Sequence, residues 1–102
     1  MKVVGFGIIQ ALVERERSSP RGKALRKRAE AWRQELELAN WRSPMEVKAQ
    51  HRTADVVGKR IVFDILGNSY RFVVQLNYGA QVAEVRFAGT HKEYDQIDVR
   101  TI

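Results

Sequence analysis

The chain has 102 residues, a length that suits one compact domain, and its 44% hydrophobic content is enough for a core and too much for a disordered chain. It has no cysteine, which excludes disulfides, zinc–thiolate sites and a thiol nucleophile and fits a reducing, cytoplasmic setting. The net charge is +6, and between residues 14 and 33 eight basic residues stand against three acidic ones; such a surface gathers phosphates or acidic partners, although a solvated helix face is the plainer explanation.

The opening MKVVGFGIIQALVERER carries an apolar run after Lys2. It has a single basic residue ahead of that run, Gln10 within it and no small-residue cleavage site after it. It therefore reads as folded chain and not as a signal peptide, and no stretch is long enough to span a membrane. Residues 2–6 read as a short strand. Ile8, Ile9, Leu12 and Val13 have helical spacing and predict a helix over about 7–17. Ser19 followed by Pro20 offers an N-cap and a first helical position for a second helix, ending near Ala39. Its core stripe is Leu25, Ala29, Trp32 and Leu36, with basic residues over much of the rest.

Residues 40–59 read as irregular. The period then changes to two. RIVFDILGNSYRFVVQL predicts a β-hairpin turning at Gly67-Asn68, with Asp64 facing Arg71 and Phe63 facing Phe72. One face, with Ile61, Phe63, Ile65, Tyr70, Phe72 and Val74, is expected to pack on the helices. The other, with Arg60, Val62, Asp64, Arg71, Val73 and Gln75, is expected to be open. A last strand, QVAEVRFA, turns Ala83, Val85 and Phe87 inward and sets Arg86 on the open face beside Arg60 and Arg71. The expected fold is α+β, one domain over 1–102. Two N-terminal helices pack on one face of a small antiparallel sheet, and a short C-terminal helix follows.

That helix is announced by Thr90-His91-Lys92-Glu93, a capping box that accounts for Thr90 and Glu93 without any chemistry. His91, Tyr94 and Asp95 can then share one face. Taken singly, each has a plain reading: His91 as a surface residue, Tyr94 as packing, Asp64–Arg71 as a cross-strand ion pair. Together they put an imidazole and a phenol beside several cations. That set suits RNA cleavage by the substrate's own 2′-hydroxyl. The reaction needs a proton acceptor, cations for the phosphorane and a proton donor for the leaving 5′-oxygen, and requires no metal or cofactor. Other classes fit less well. The glycines form no phosphate-cradling loop, no serine sits in a nucleophile turn, and two histidines forty residues apart make a poor metal site.

The stretch GKRIVFDILGNSYRFVVQLNY…VAEVRFAGTHKEYDQID resembles the HigB-type toxins of bacterial type II toxin–antitoxin systems, within the RelE-like superfamily, and NWRSPMEVKAQHRTADVVG resembles the segment they carry before the hairpin. The resemblance is clear over residues 40–102; residues 1–39 match in layout. It implies a RelE-like fold and a ribosome-dependent mRNA endonuclease. It also implies a cognate antitoxin, commonly a helix-turn-helix DNA-binding protein, with operator DNA met only through the complex. Under it Arg71, His91, Tyr94 and Lys92 are the candidate catalytic residues. Arg71 would take the scissile phosphate with Asp64 orienting it, and His91 or Tyr94 would move protons. Lys48, Arg60 and Arg86 would hold RNA, and Arg21, Lys23, Arg26 and Lys27 would grip ribosomal RNA. His51 is a secondary candidate. The competing reading is a non-catalytic basic module that binds RNA or a protein partner.

Overall fold

A computed structural model describes all residues 1–102. In chain order the elements are β1 (Lys2–Val4), α1 (Gly7–Arg15), α2 (Gly22–Leu38), α3 (Pro44–Gln50), β2 (Asp55–Val57), β3 (Arg60–Ile65), β4 (Tyr70–Asn77), β5 (Val82–Thr90) and α4 (His91–Tyr94). The five strands form one sheet in the order β1-β5-β4-β3-β2, antiparallel except where β1 runs parallel to β5. The class is α+β, as the patterning predicts. No helix is long and apolar enough to cross a membrane.

The helix-side core follows the predicted stripes. Leu25, Ala29, Trp32 and Leu36 of α2 are buried against Ile61, Phe63, Ile65, Phe72 and Val74 of the hairpin. Trp32 sits edge-on to both Phe63 and Phe72, at ring distances of 5.5 and 5.2 Å. The hairpin register is as expected from its turn, with Asp64 opposite Arg71 and Ile65 opposite Tyr70, and Gly67 turns at φ +66°.

Four expectations are corrected. Ser19 does not cap α2. The chain makes two tight turns after α1, Ser19 N–H donating to the Glu16 carbonyl and Gly22 N–H to the Ser19 carbonyl, and the helix begins only at Gly22. A Cβ at Gly22 would lie 2.3 Å from the Glu16 carbonyl oxygen, so the α1–α2 corner needs glycine there. The same Ser-Pro dipeptide recurs at Ser43-Pro44, and there it does start a helix. The Ser43 hydroxyl accepts from Glu46 N–H while Glu46 reaches back to Arg42 N–H, so residues 40–59 hold α3 and the edge strand β2 and are not irregular.

Phe87 does not face the helices. Val74 pairs with Val85 but Val73 pairs with Phe87, so Arg86 is the extra residue of a β-bulge, and Phe87 joins Val73 on the far face while Ala88 turns inward. That far face is not open. Val73 and Val62 are buried, and Arg60 is only 8% exposed. Residues beyond α4 fold back over it, so that Arg60 and Arg86 both donate to the Ile102 carbonyl.

Candidate active site

The site is built where β4 begins and β5 ends. Tyr70 pairs with Thr90 and Arg71 with Gly89. The ladder continues one step further, His91 N–H donating to the Ser69 carbonyl at 3.0 Å, so the start of α4 is fastened to the β3–β4 turn. The Thr90 hydroxyl accepts from Glu93 N–H, and the Glu93 carboxylate accepts from Thr90 N–H, completing the predicted capping box. A Cβ on Gly89 would come within 2.7 Å of the Phe87 ring and 2.9 Å of the Glu93 carboxylate, so a glycine there is what lets the carboxylate fold back.

Glu93 has a second partner. Arg15 of α1 grips it with two parallel hydrogen bonds of 2.5 and 2.8 Å. The Arg15 guanidinium, followed by the Thr90 N–H, holds the Glu93 carboxyl down at about 2, against an ordinary 4.5. A depressed carboxyl pKa stabilises the fold above its unfolded value, and that contribution disappears as the pH falls through the folded value. Wild type is therefore expected to exceed Glu93→Gln in thermal midpoint at neutral pH. The gap should close between about pH 4.5 and about pH 2. Paired unfolding scans across that range check it, and a gap undiminished at pH 2 would contradict the assignment.

Arg71 lies at the centre. It is 8% exposed, and its guanidinium is almost fully engaged. Nε meets the Asp64 carboxylate at 3.1 Å, Nη1 donates to the Tyr70 carbonyl at 3.1 Å, and Nη2 donates to Asn68 Oδ1 at 2.6 Å and faces His91 Nδ1 at 3.0 Å. On its far side His91 Nε2 lies 3.3 Å from an Asp95 oxygen. Tyr94 sits with its ring 5.8 Å from the Arg71 guanidinium and 6.4 Å from the Phe87 ring. Burial first, then Asp55, pushes the Tyr94 phenol up despite Arg71, so Tyr94 keeps its proton at neutral pH.

Beside this network is a shallow hollow of about 440 Å³, lined by residues that include Arg21, Asn68, Ser69, His91 and Lys92. On its wall the Tyr70 hydroxyl donates to Glu16 at 2.7 Å. Arg21 thus joins His91 and Lys92 from the start of α2. The charges of residues 14–33 also sort cleanly. Arg15, Arg17, Arg28 and Arg33 each have a carboxylate partner, whereas Arg21, Lys23, Arg26 and Lys27 have none.

The structure thus brings together Arg71, His91, Tyr94 and Asp64, with Lys92 and Arg21 on the rim. It sets others apart. Arg60 and Arg86 form their own cluster on the Ile102 carbonyl. Lys48 is on α3, whose Val47 is buried in the helix-side core, across the sheet from Arg71. His51 packs edge-on between Trp41 and Phe63, and burial lowers its pKa. It is a wall of the core. Asn68 and Glu16 escape a reading of the sequence: Asn68 looks like turn chemistry alone, and nothing local says that Glu16 meets Tyr70.

Residues 25–97 match the model of a family described as HigB toxin, RelE-like toxic component of a toxin–antitoxin system. None of the curated proteins compared with the chain matches it significantly.

Proposed function

Because the chain belongs to the HigB toxin family, the RelE-like toxic components of toxin–antitoxin systems, we propose that it is a ribosome-dependent mRNA endonuclease that stops translation by cutting mRNA in the decoding site. A toxin of such a system has an antitoxin partner. In our reading that partner is a helix-turn-helix protein, and operator DNA is met through the complex.

The observation that supports catalysis is the single network joining Arg71, His91 and Tyr94 beside the Lys92 and Arg21 rim. In the proposed reaction the 2′-hydroxyl oxygen bonds to the adjacent phosphorus and the bond from phosphorus to the 5′-oxygen breaks. The products carry a 2′,3′-cyclic phosphate and a 5′-hydroxyl. One proton leaves the 2′-hydroxyl and one reaches the 5′-oxygen. Tyr94, a phenol at neutral pH beside the Arg71 guanidinium, can make the donation. Lys92 and Arg21 draw the phosphate backbone in and offset charge on the phosphorane. Ribosome dependence fits a site this shallow, which needs a platform to hold the strand in line.

The test is primer extension on a defined mRNA in a reconstituted translation system, with and without ribosomes. Cuts at codons that require ribosomes are the expected result. A folded protein that cuts nothing would sink the nuclease reading and leave a basic binding module, the reading the four unpaired cations also favour.

Those four cations carry their own expectation. Replacing Arg21, Lys23, Arg26 and Lys27 by glutamine should weaken ribosome binding and flatten its dependence on salt. At roughly 0.7–0.9 per phosphate contact, the slope of log affinity against log salt should fall by about 3. Titrations of ribosome binding across potassium chloride concentrations measure it; an unchanged slope would remove α2 from the interface.

A further inference from the structure

We propose that Arg71 is a positioning residue that locks His91 in the tautomer with its proton on Nε2, so that His91 meets RNA as a hydrogen-bond donor and not as the base. The first half follows from the contacts. A guanidinium has only donors. His91 Nδ1 lies 3.0 Å from Arg71 Nη2, so in that contact Nδ1 can only accept, and the proton of the neutral ring must be on Nε2. Nε2 in turn faces the Asp95 carboxylate at 3.3 Å, an acceptor that suits it. Arg71 cannot easily swing away, because Asp64, Asn68 and the Tyr70 carbonyl hold it on its other sides and it is 8% exposed. His91 is anchored as well, through its backbone bond to Ser69 and the capping box of α4.

The second half rests on the function proposed above. With Nδ1 occupied, the nitrogen left to meet substrate is Nε2, and it carries a hydrogen. An incoming phosphate oxygen can replace Asp95 as its acceptor. The ring then stabilises charge on the phosphoryl oxygens, gives up no proton, and is already aimed before the reaction begins. The proton of the 2′-hydroxyl goes to a different acceptor, and the Asp95 carboxylate beside the ring, released from Nε2, is a basic group available for it. Arg71 accordingly acts through His91 and not on the phosphate, which its buried guanidinium, with four of its five N–H donors already engaged, has little capacity to bind.

The experiment is long-range proton–nitrogen correlation of the His91 ring in uniformly labelled protein at neutral pH. His51 is the only other histidine, so the spectrum of His91→Ala assigns the signals. Wild type should show a protonated Nε2 and a bare Nδ1. Arg71→Lys keeps a donor and should preserve that pattern; Arg71→Met removes it and should yield a mixture of tautomers. If losing Arg71 beside Asp64 unfolds the chain, Asp64→Asn/Arg71→Met makes the same test without an unpaired, half-buried carboxylate. A proton on Nδ1 in wild type, or an unchanged pattern without Arg71, overturns the proposal. In cleavage assays Arg71→Met should lower the rate at saturating ribosomes and leave the KM within about twofold, and adding His91→Ala should cost little more. A raised KM with an undiminished rate would mean that Arg71 grips RNA directly. Should wild type cut no RNA at all, the proposed function falls while the spectra still decide the tautomer.

Discussion

Replacing His91 with alanine is expected to slow mRNA cleavage by roughly 10²–10³-fold, the usual consequence of removing one preorganised donor from a charge-developing site. The fold should survive the change. The His91 side chain is 45% exposed, and its structural duties are carried by its backbone bond to Ser69 and by the capping box. Ribosome binding should also survive, because the unpaired cations of α2 are untouched. The measurement is a single-turnover rate on a defined mRNA at saturating ribosomes, with circular dichroism and ribosome pelleting as controls. Lys92→Ala should cost less, since Lys92 is exposed on the rim and its proposed role is a phosphate contact alone. A wild-type rate for His91→Ala would move the chemistry to Tyr94 or to a lysine.

The parts of this molecule that local chemistry determines were legible in the sequence. Gly67-Asn68 between two alternating runs sets a turn, the turn sets the register, and the register puts Asp64 opposite Arg71. Thr90 and Glu93 announce their helix by spacing alone. What the sequence hid depends on tertiary context. Two identical Ser-Pro pairs behave differently, because the first is consumed by the turns of the α1–α2 corner and only the second is free to cap. The bulge at Arg86 breaks the inward alternation of β5 with no glycine or proline to mark it. The charges of the far face of the sheet suggest an open surface, because the segment that covers them lies far along the chain. Arg60 is buried there by a carbonyl 42 residues away in sequence.

The same distinction governs the site. That Arg71, His91 and Tyr94 gather at one mouth could be reasoned from strand register plus a capped helix. What each side chain does could not. Arg71, expected to take the phosphate with Asp64 orienting it, is in three dimensions a guanidinium engaged by Asn68, Tyr70 and His91 as well as by Asp64. Unpaired cations are a better guide to phosphate binding than total charge. By that criterion Arg21, Lys23, Arg26 and Lys27 remain candidates for the proposed interface, and the paired Arg15, Arg17, Arg28 and Arg33 do not.

The largest effect on stability is expected at Trp32. Its side chain is wholly buried and wedges edge-on against Phe63 and Phe72. Trp32→Ala should cost about 3–5 kcal/mol, the sum of lost burial and the cavity left behind. A domain of this size holds about 5–15 kcal/mol in all, so the variant should lie close to the edge of folding. Trp32→Phe should cost far less than the difference in size implies. The Trp32 indole N–H is buried without a hydrogen-bond partner, and phenylalanine removes that donor along with the second ring. Urea titrations of wild type and both variants make the comparison, with Trp41 left as the fluorescent reporter in each. The chemistry should respond differently. Phe63 and Phe72 point from the sheet toward Trp32, while Asp64 and Arg71, their neighbours in sequence, point to the other side. Trp32→Phe should therefore lower the unfolding midpoint and leave cleavage near wild type at temperatures where it remains folded. A folded Trp32→Phe with cleavage reduced as far as in His91→Ala would show that the core sets the geometry of the opposite face more tightly than strand alternation requires.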